Sequence, residues 1–323
     1  MESKIRLWLA WIKRTRLKTV VAKSGVYLAL LLLLLVAAII SPVFYRPANV
    51  FSVLEQASAL GIVSIGQTFV ILAGGIDFSV AATMATVNVV AASQMLGRNE
   101  MVIPVSLLCL ALGGCVGLTN SALITRLKIP PFVATLGMMI VIRGARFLYT
   151  KGAPYGSIPP HLRFMGTGEI GSLPVAVIVF ALFSAVAIFV LRKTALGRKI
   201  YAVGGNPIAA YLSGTRVHRV VTVAYLICGV LAAAAGLMLT GYLGFADNWA
   251  GKGYELDSIA AVVVGGTSLA GGRGSVVGTI AGVLIITILF NLVLILNLPI
   301  QSQLIVKGSV IIGAVALYFY RRG

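Results

Sequence analysis

The chain has 323 residues, of which 59% are hydrophobic and only 11% are charged, and its mean hydropathy is +1.02. This composition excludes an ordinary soluble globular protein and indicates an integral membrane protein. The net charge of +18 does not indicate nucleic-acid binding, because the basic residues lie between apolar runs and do not gather with aromatic residues on one domain.

The amino-terminal segment, residues 1–24, carries seven Lys and Arg residues ahead of an apolar run from Val26 to Ile40. A cleaved signal peptide would have a shorter charged region and a small-residue cleavage site, and neither is present. We therefore predict a basic cytoplasmic segment followed by a retained first span. Trp8 and Trp11 leave two alternatives for that segment, an amphipathic helix on the inner leaflet or a disordered tail.

About ten apolar segments, several short or broken by glycine, can cross roughly 30 Å of hydrocarbon. We predict an all-α polytopic fold in which residues 25–323 form a single transmembrane domain. The predicted spans are 25–42, 53–74, 79–96, 101–124, 131–150, 172–191, 218–242, 256–270, 276–296 and 301–320.

Basic residues orient these spans. With the amino terminus inside, eighteen of the 26 Lys and Arg residues fall in cytoplasmic segments and five on the opposite side. The remaining three, Arg143, Arg146 and Lys307, fall within spans. This imbalance is a strong positive-inside signal. Both termini and loop 192–219 are therefore predicted to be cytoplasmic, and loop 151–171 is predicted to lie outside.

The second span is interrupted by Gly74 and Gly75, just before Asp77. Irregular backbone at membrane depth persists only where it is buried in protein or lines a water-filled path. Asp77 is then either a cap for the next helix or a group in the path. Arg143 and Arg146 share one helical face, and they either snorkel outward, pair with Glu55 or line the path.

The central loop, from Thr194 to Arg219, contains a short capped helix among basic residues. Asn206 and Pro207 are typical of a helix start, and Gly214 is typical of a left-handed stop. Basic loops between spans often serve only as topology signals. The short helix favours a second interpretation, that this loop engages a soluble motor.

Nucleotide chemistry is absent from the sequence. The glycine cluster Gly265–Ser275 lacks the Lys-Ser/Thr pair of a phosphate loop, so ATP hydrolysis must come from another chain. The cluster allows either close helix approach or a tight inner turn. No carboxylate relay runs through the spans, which argues against a secondary transporter. Cys109, Cys115 and Cys228 lie in apolar runs without a CxxC pair, so we expect no disulfide, metal or cofactor.

Four segments in order carry a family resemblance: LAGGIDFSVAA (72–82), the run that begins NSALITRLKIPPF (120–154), ALGRKIYAVGGNPIAAYLSG (195–214) and GYELDSIAAVVVGGTSLAGGRGSVVGT (253–279). From about residue 50 onward the chain resembles the permease subunit of ribose/xylose/galactose-type sugar ABC importers. The resemblance implies an ABC ATPase, a periplasmic sugar-binding protein and a second permease chain, the same or paralogous, as partners in the lipid of a bacterial inner membrane.

The resemblance also implies roles for particular residues. The central loop resembles the coupling helix that docks on the ATPase, with Gly197, Arg198, Asn206, Pro207, Ala209, Ala210 and Gly214 as its candidate residues. The residue types themselves suggest candidates for the substrate path: Gln67, Asn88, Asn120 and Asn291 are uncharged amides, which suit sugar hydroxyls, and Asp77 lies at the interruption of the second span. Such residues also simply hold helices together. Asp247, Glu255 and Asp257 are candidates for docking the binding protein, the alternative being ordinary solvation of loop ends.

The sequence therefore predicts a non-enzymatic translocation subunit of an ATP-driven monosaccharide importer. The alternatives are a permease of the same superfamily for another small polar solute, such as a nucleoside, a branched-chain amino acid or a furanose signal molecule, and, from another class, a secondary transporter or channel.

The predicted topology is testable with single cysteines at Ser157 and Ser213, placed in a variant that lacks the three native cysteines. We expect a membrane-impermeant thiol reagent to label Ser157→Cys in intact cells and to reach Ser213→Cys only after the cells are opened, because the loops lie on opposite sides. Labelling of both positions in intact cells would contradict the ten-span topology.

Overall fold

The computed structural model describes residues 25–299 and, beyond them, 301–302, 304–305, 308–309 and 312–313. The predictions for segment 1–24 and for most of the last span lie outside the described residues. Within these residues the chain is mainly helical, as predicted. The only strands there are β1 (Glu169–Ile170) and β2 (Leu173–Pro174), which form a two-residue antiparallel hairpin.

The helices follow the predicted order of spans. They are α1 (Gly25–Ile40), α2 (Pro47–Leu72), α3 (Val80–Met95), α4 (Val102–Thr125), α5 (Pro131–Thr150), α6 (Pro160–Thr167), α7 (Val175–Lys193), α8 (Ala195–Gly205), α9 (Pro207–Leu212), α10 (Val217–Leu243), α11 (Tyr254–Val264) and α12 (Val276–Ile295). Short 3-10 turns at Pro42–Tyr45 and Asn99–Met101 precede α2 and α4. Among the described residues, six helices are long and apolar enough to cross a membrane: α2, α4 with its preceding turn, α5, α7, α10 and α12.

The eighth predicted span, 256–270, is wrong in its extent. α11 has 11 residues, a length of about 16 Å that is too short to cross the hydrocarbon by itself. The chain leaves the helix at Gly265 and continues as an irregular segment, 265–275. Four glycines of that segment have left-handed backbone angles that side chains rarely tolerate: Gly266, Gly271, Gly272 and Gly274.

Helix α10 occupies the centre of the bundle and packs against α2, α3 and α4. Its contact with α4 is made between backbones. A Cβ atom added to Gly113 of α4 would meet the carbonyl oxygen of Gly229 of α10, and one added to Gly229 would meet that of Gly113. Such small residues let membrane helices approach closely. Polar side chains of α2, α3 and α4 are buried within this bundle.

Candidate functional site

The central segment forms two capped helices, of which the sequence predicted only the second, α9. The hydroxyl oxygen of Thr194 accepts the N–H of Gly197 at 3.3 Å and begins α8. The side-chain oxygen of Asn206 accepts the N–H of Ala209 at 3.0 Å and begins α9, with Pro207 in its first turn. Gly214 follows α9 with a φ of +79°, which confirms it as a left-handed stop. These local contacts hold the segment in a defined shape.

Helix α9 presents an apolar face to its surroundings. Ile208 is 72% exposed, Tyr211 70% and Leu212 79%. Exposed apolar patches on a helix that does not itself span the membrane are typical of contacts with another protein. The sequence analysis missed this face, although the spacing i, i+3 and i+4 places the three side chains side by side on one helix surface. We call Ile208, Tyr211 and Leu212 the exposed face of α9.

The two alanines of α9 lie in different environments. Ala209 is exposed, whereas Ala210 is only 5% exposed and belongs to the main apolar core. The Ala210 side chain therefore packs against residues of its own chain. Of the other predicted residues, Arg198 is exposed, whereas Gly197 is buried with its Cα against the backbone of Leu191.

The end of α8 touches two irregular segments of the bundle through backbone atoms alone. A Cβ atom added to Gly204 would meet the carbonyl oxygen of Leu72 and the amide nitrogen of Gly272. The N–H of Gly272 donates to that same oxygen of Leu72 at 3.0 Å. Gly271 lies against Gly204 and against Gly74, where the second span is interrupted. We call Gly74, Gly204, Gly271 and Gly272 the glycine junction.

Tyr201 of α8 adds a side-chain contact beside this junction. Its hydroxyl donates to the carbonyl oxygen of Gly274 at 2.9 Å. Partial burial raises the pKa of the Tyr201 phenol, while the nearby Arg192 guanidinium lowers it. The phenol therefore stays protonated at physiological pH and keeps its ability to donate. Helix α8 is thus attached to segment 265–275 by both backbone and side chain.

A buried polar cluster lies where α2 gives way to α3. We define it as Gln67, Asp77, Ser79 and Asn120, each at most 1% exposed. One carboxylate oxygen of Asp77 accepts the N–H of Ser79 at 2.9 Å and its hydroxyl at 2.6 Å. The Asn120 amide donates to Ser79 Oγ at 2.8 Å and to the Asp77 carboxylate at 3.3 and 3.4 Å. The Gln67 amide donates to the Asp77 carbonyl oxygen at 2.7 Å.

The structure thus brings together three of the five predicted path residues. Asp77 does not cap α3, whose N-cap is Ser79 without a side-chain capping bond; its carboxylate accepts the N–H of Ser79 two residues on and forms an Asx-type turn just before the helix. Tyr225 and Thr135, which the sequence analysis did not single out, donate to the carbonyl oxygen of Ile76 at 3.1 and 3.3 Å. The side-chain oxygen of Asn120 is buried without a partner.

Asn88 and Asn291 lie apart from this cluster and hold other parts of the bundle together. The Asn88 side chain accepts the N–H of Asp247 at 2.7 Å and donates to the carbonyl oxygen of Phe245 at 3.1 Å. Asn291 exchanges two side-chain hydrogen bonds with Asn49, at 2.8 and 3.1 Å. These bonds are those of the helix-holding alternative, so the structure gives neither residue a place beside the cluster.

The three acidic residues predicted to dock a soluble partner are not equally available. Asp257 is only 3% exposed, so its side chain does not lie on the surface that this conformation presents to a partner. Asp247 accepts the N–H of Trp249 at 2.9 Å, and Glu255 accepts that of Gly253 at 2.9 Å. Both are partly exposed. Across the part of the chain that the structure describes, no three His, Cys, Asp or Glu residues form a group that could hold a metal ion.

Comparison with known proteins gives this arrangement a family. Residues 49–315 match the family described as branched-chain amino acid transport system / permease component. The ribose import permease protein RbsC of Bacillus subtilis is 42% identical over 94% of this chain and 95% of its own length. RbsC of Escherichia coli K12 is 39% identical over 89% of this chain and 91% of its own length.

A third relative is named for a different sugar. The galactose/methyl galactoside import permease protein MglC of Haemophilus influenzae is 34% identical over 91% of this chain and 93% of its own length. No solved structure matches the chain at a significant level.

Proposed function

The chain belongs to the branched-chain amino acid transport system / permease component family, and from this premise we propose that it is the translocation subunit of an ATP-driven importer of a monosaccharide. It is a multi-pass protein of the inner membrane. The observation that carries the choice of a sugar is the likeness to ribose and galactose permeases over about nine-tenths of the chain. The family description names another solute, which is the main alternative.

We place the central segment on the cytoplasmic side, together with both termini, because of the distribution of basic residues. The exposed face of α9 then contacts a separate ATPase subunit. Ile208, Tyr211 and Leu212 supply the apolar area, and Ala209 lets the partner approach closely. Ala210 has a different role, since its burial attaches α9 to the chain's own core. The chain itself binds no cofactor and hydrolyses no ATP.

A movement of α9 would reach the translocation path through α8. Helix α8 packs against α2, α7 and α10, and its last turn touches the glycine junction. Gly74 of that junction lies three residues before Asp77 of the buried polar cluster. Backbone contacts without side chains cannot be compressed, because packed interiors have few voids. We propose that a displacement of α8 therefore moves the interruption between α2 and α3 and with it the polar cluster.

The function is tested by reconstituting the chain with its ATPase and its binding protein in proteoliposomes. We expect uptake of a radiolabelled monosaccharide that requires ATP inside the vesicle and stops when the binding protein is omitted. Uptake driven by an ion gradient without ATP would indicate a secondary transporter. ATP-driven uptake of a branched-chain amino acid or a nucleoside in place of a sugar would favour the alternative solutes.

Leu212→Glu tests the exposed face of α9. A carboxylate buried in an apolar contact is strongly disfavoured, so we expect ATPase copurification to fall by about tenfold or more with normal membrane abundance. Leu127→Glu is the matched control, because Leu127 is similarly exposed, at 66% against 79%, and follows α4 in another loop predicted to be cytoplasmic. Equal losses for both variants would indicate a general effect of charge and not a contact made by α9.

Gly204→Ala tests the glycine junction, with its neighbour Gly205→Ala as the control. The added methyl group at Gly204 would meet backbone atoms of α2 and of segment 265–275, whereas at Gly205 it would meet nothing within 4 Å. We expect Gly204→Ala to lower sugar uptake per ATP hydrolysed at least severalfold while the ATPase still copurifies. Gly205→Ala should transport normally. Unchanged coupling in Gly204→Ala, at normal abundance, would exclude this route for the movement.

A further inference from the structure

The loop between α10 and α11, residues 244–253, enters the bundle instead of lying on its surface. Ala250 is only 3% exposed and belongs to the main apolar core. A Cβ atom added to Gly251 would lie 3.4 Å from the Cβ atom of Met84 in α3. Since α3 ends at Met95, Met84 lies about 16 Å below the end that the proposed topology places outside. The loop therefore reaches about halfway through roughly 30 Å of hydrocarbon, and we call it the re-entrant loop.

Two buried asparagines hold the re-entrant loop in place. The side-chain oxygen of Asn88 in α3 accepts the N–H of Asp247 at 2.7 Å, and its amide donates to the carbonyl oxygen of Phe245 at 3.1 Å. The amide of Asn248 donates to the carbonyl oxygen of Gly152, just after α5, at 3.2 Å. Backbone that leaves a helix inside the membrane needs such partners. Because these are side-chain bonds, the loop can detach without unwinding α3 or α5.

The contact between the re-entrant loop and α5 leaves almost no free space. The ring of Trp249 packs edge-on against Phe147, with 5.6 Å between the ring centroids. The guanidinium carbon of Arg143 and the ammonium of Lys252 lie 5.7 and 5.0 Å from the Trp249 centroid. The volume left between the loop, α3 and α5 is about 20 Å³, room for about one water molecule. A monosaccharide cannot pass there, so the loop closes the bundle at this level.

The re-entrant loop repeats the local construction of the interruption between α2 and α3. The carboxylate of Asp247 accepts the N–H of the residue two positions on at 2.9 Å, and the carboxylate of Asp77 does the same at 2.9 Å. The side-chain oxygen of a neighbouring amide accepts the N–H of each aspartate, Asn88 at 2.7 Å for Asp247 and Gln67 at 3.3 Å for Asp77. In the proposed topology the first turn lies towards the outer side and the second towards the inner side. The bundle thus has one irregular, amide-bound turn towards each side of the membrane.

The re-entrant loop also has hinges and an accessible surface. Gly244 and Gly253 bound it with φ angles of +76° and +97°, a conformation that glycine adopts readily. Phe245 is 56% exposed and Trp249 is 47% exposed, so a partner on the outer side can contact the loop directly. At its other end the loop continues into α11, which leads to segment 265–275 and the glycine junction.

We propose that the re-entrant loop is the outer gate of the translocation path. The gate is closed in this structure, and it opens when the binding protein contacts Phe245 and Trp249 and the loop leaves Asn88 and α5. This inference rests on the proposed function, because it names the element that controls entry of the sugar. Since α11 joins the gate to the glycine junction, its opening also reaches α8, which leads to the ATPase contact.

A disulfide that locks the loop is the first test, with Met84→Cys and Gly251→Cys in a variant that lacks the three native cysteines. The separation of 3.4 Å between the two Cβ positions is close to that in disulfides. We expect oxidation to form the bond, detected by mass spectrometry, and to lower ATP-driven uptake by about tenfold or more, because the lock removes the open state. Reduction should restore uptake. The single variants, oxidised in the same way, are the controls, and Gly251→Cys alone shows the effect of a side chain at this left-handed glycine.

Loosening the gate is the second test, and it does not depend on Gly251. We expect Asn88→Ala and Asn248→Ala to raise sugar uptake in the absence of the binding protein at least severalfold, because the closed state loses its hydrogen bonds. Asn291→Ala is the matched control, since it removes a pair of side-chain hydrogen bonds with Asn49 away from the loop.

The inference is overturned by a disulfide that fails to form or that leaves uptake unchanged. It is also overturned if neither loop variant gains uptake at normal membrane abundance, or if Asn291→Ala gains as much. In all these cases, uptake by the unsubstituted protein that requires both ATP and the binding protein would leave the proposed function intact.

Discussion

Every peptide group that leaves a helix inside this apolar bundle needs a hydrogen-bond partner from the protein itself, since the hydrocarbon supplies none. The interruption between α2 and α3 is where this requirement is most demanding. Gln67 donates a hydrogen bond to the carbonyl oxygen of Asp77, and Tyr225 and Thr135 donate to that of Ile76. The Asp77 carboxylate accepts the N–H of Ser79. The side chains that donate to the two carbonyls come from α2, α5 and α10. The hydrogen-bonding needs of one short interruption are therefore met by three helices that pack around it.

The backbone of the second irregular segment, 265–275, is accommodated in a different way. Its glycines carry no side chains, and the N–H of Gly272 reaches the end of α2 directly. The same absence of side chains lets the last turn of α8 approach both irregular segments. The two places where the membrane-embedded helices are interrupted therefore meet each other and meet the helix that leads to α9. This is a rigid connection, because no flexible side chain lies between the backbones to absorb a displacement.

The two ends of the bundle differ in the polar chemistry that they present. The buried polar cluster is built from amides, hydroxyls and one carboxylate whose oxygens are occupied, whereas two cations, Arg143 and Lys252, lie on the partly exposed indole of Trp249. Amides exchange hydrogen bonds with a neutral polyol without fixing its orientation, and guanidinium groups select for anionic oxygens.

The sequence by itself determined the features that depend on neighbouring residues. Apolar runs marked the spans, Gly74 and Gly75 marked the interruption, and Asn206 with Pro207 marked the start of α9, because span length and helix capping are short-range effects. Only the tertiary structure decided which side chains of each element are buried and which other elements they contact. It buried Ala210 and Asp257, shortened α11 and placed the Arg146 side chain against the carbonyl oxygen of Ala82, since these outcomes depend on contacts between residues far apart in the chain.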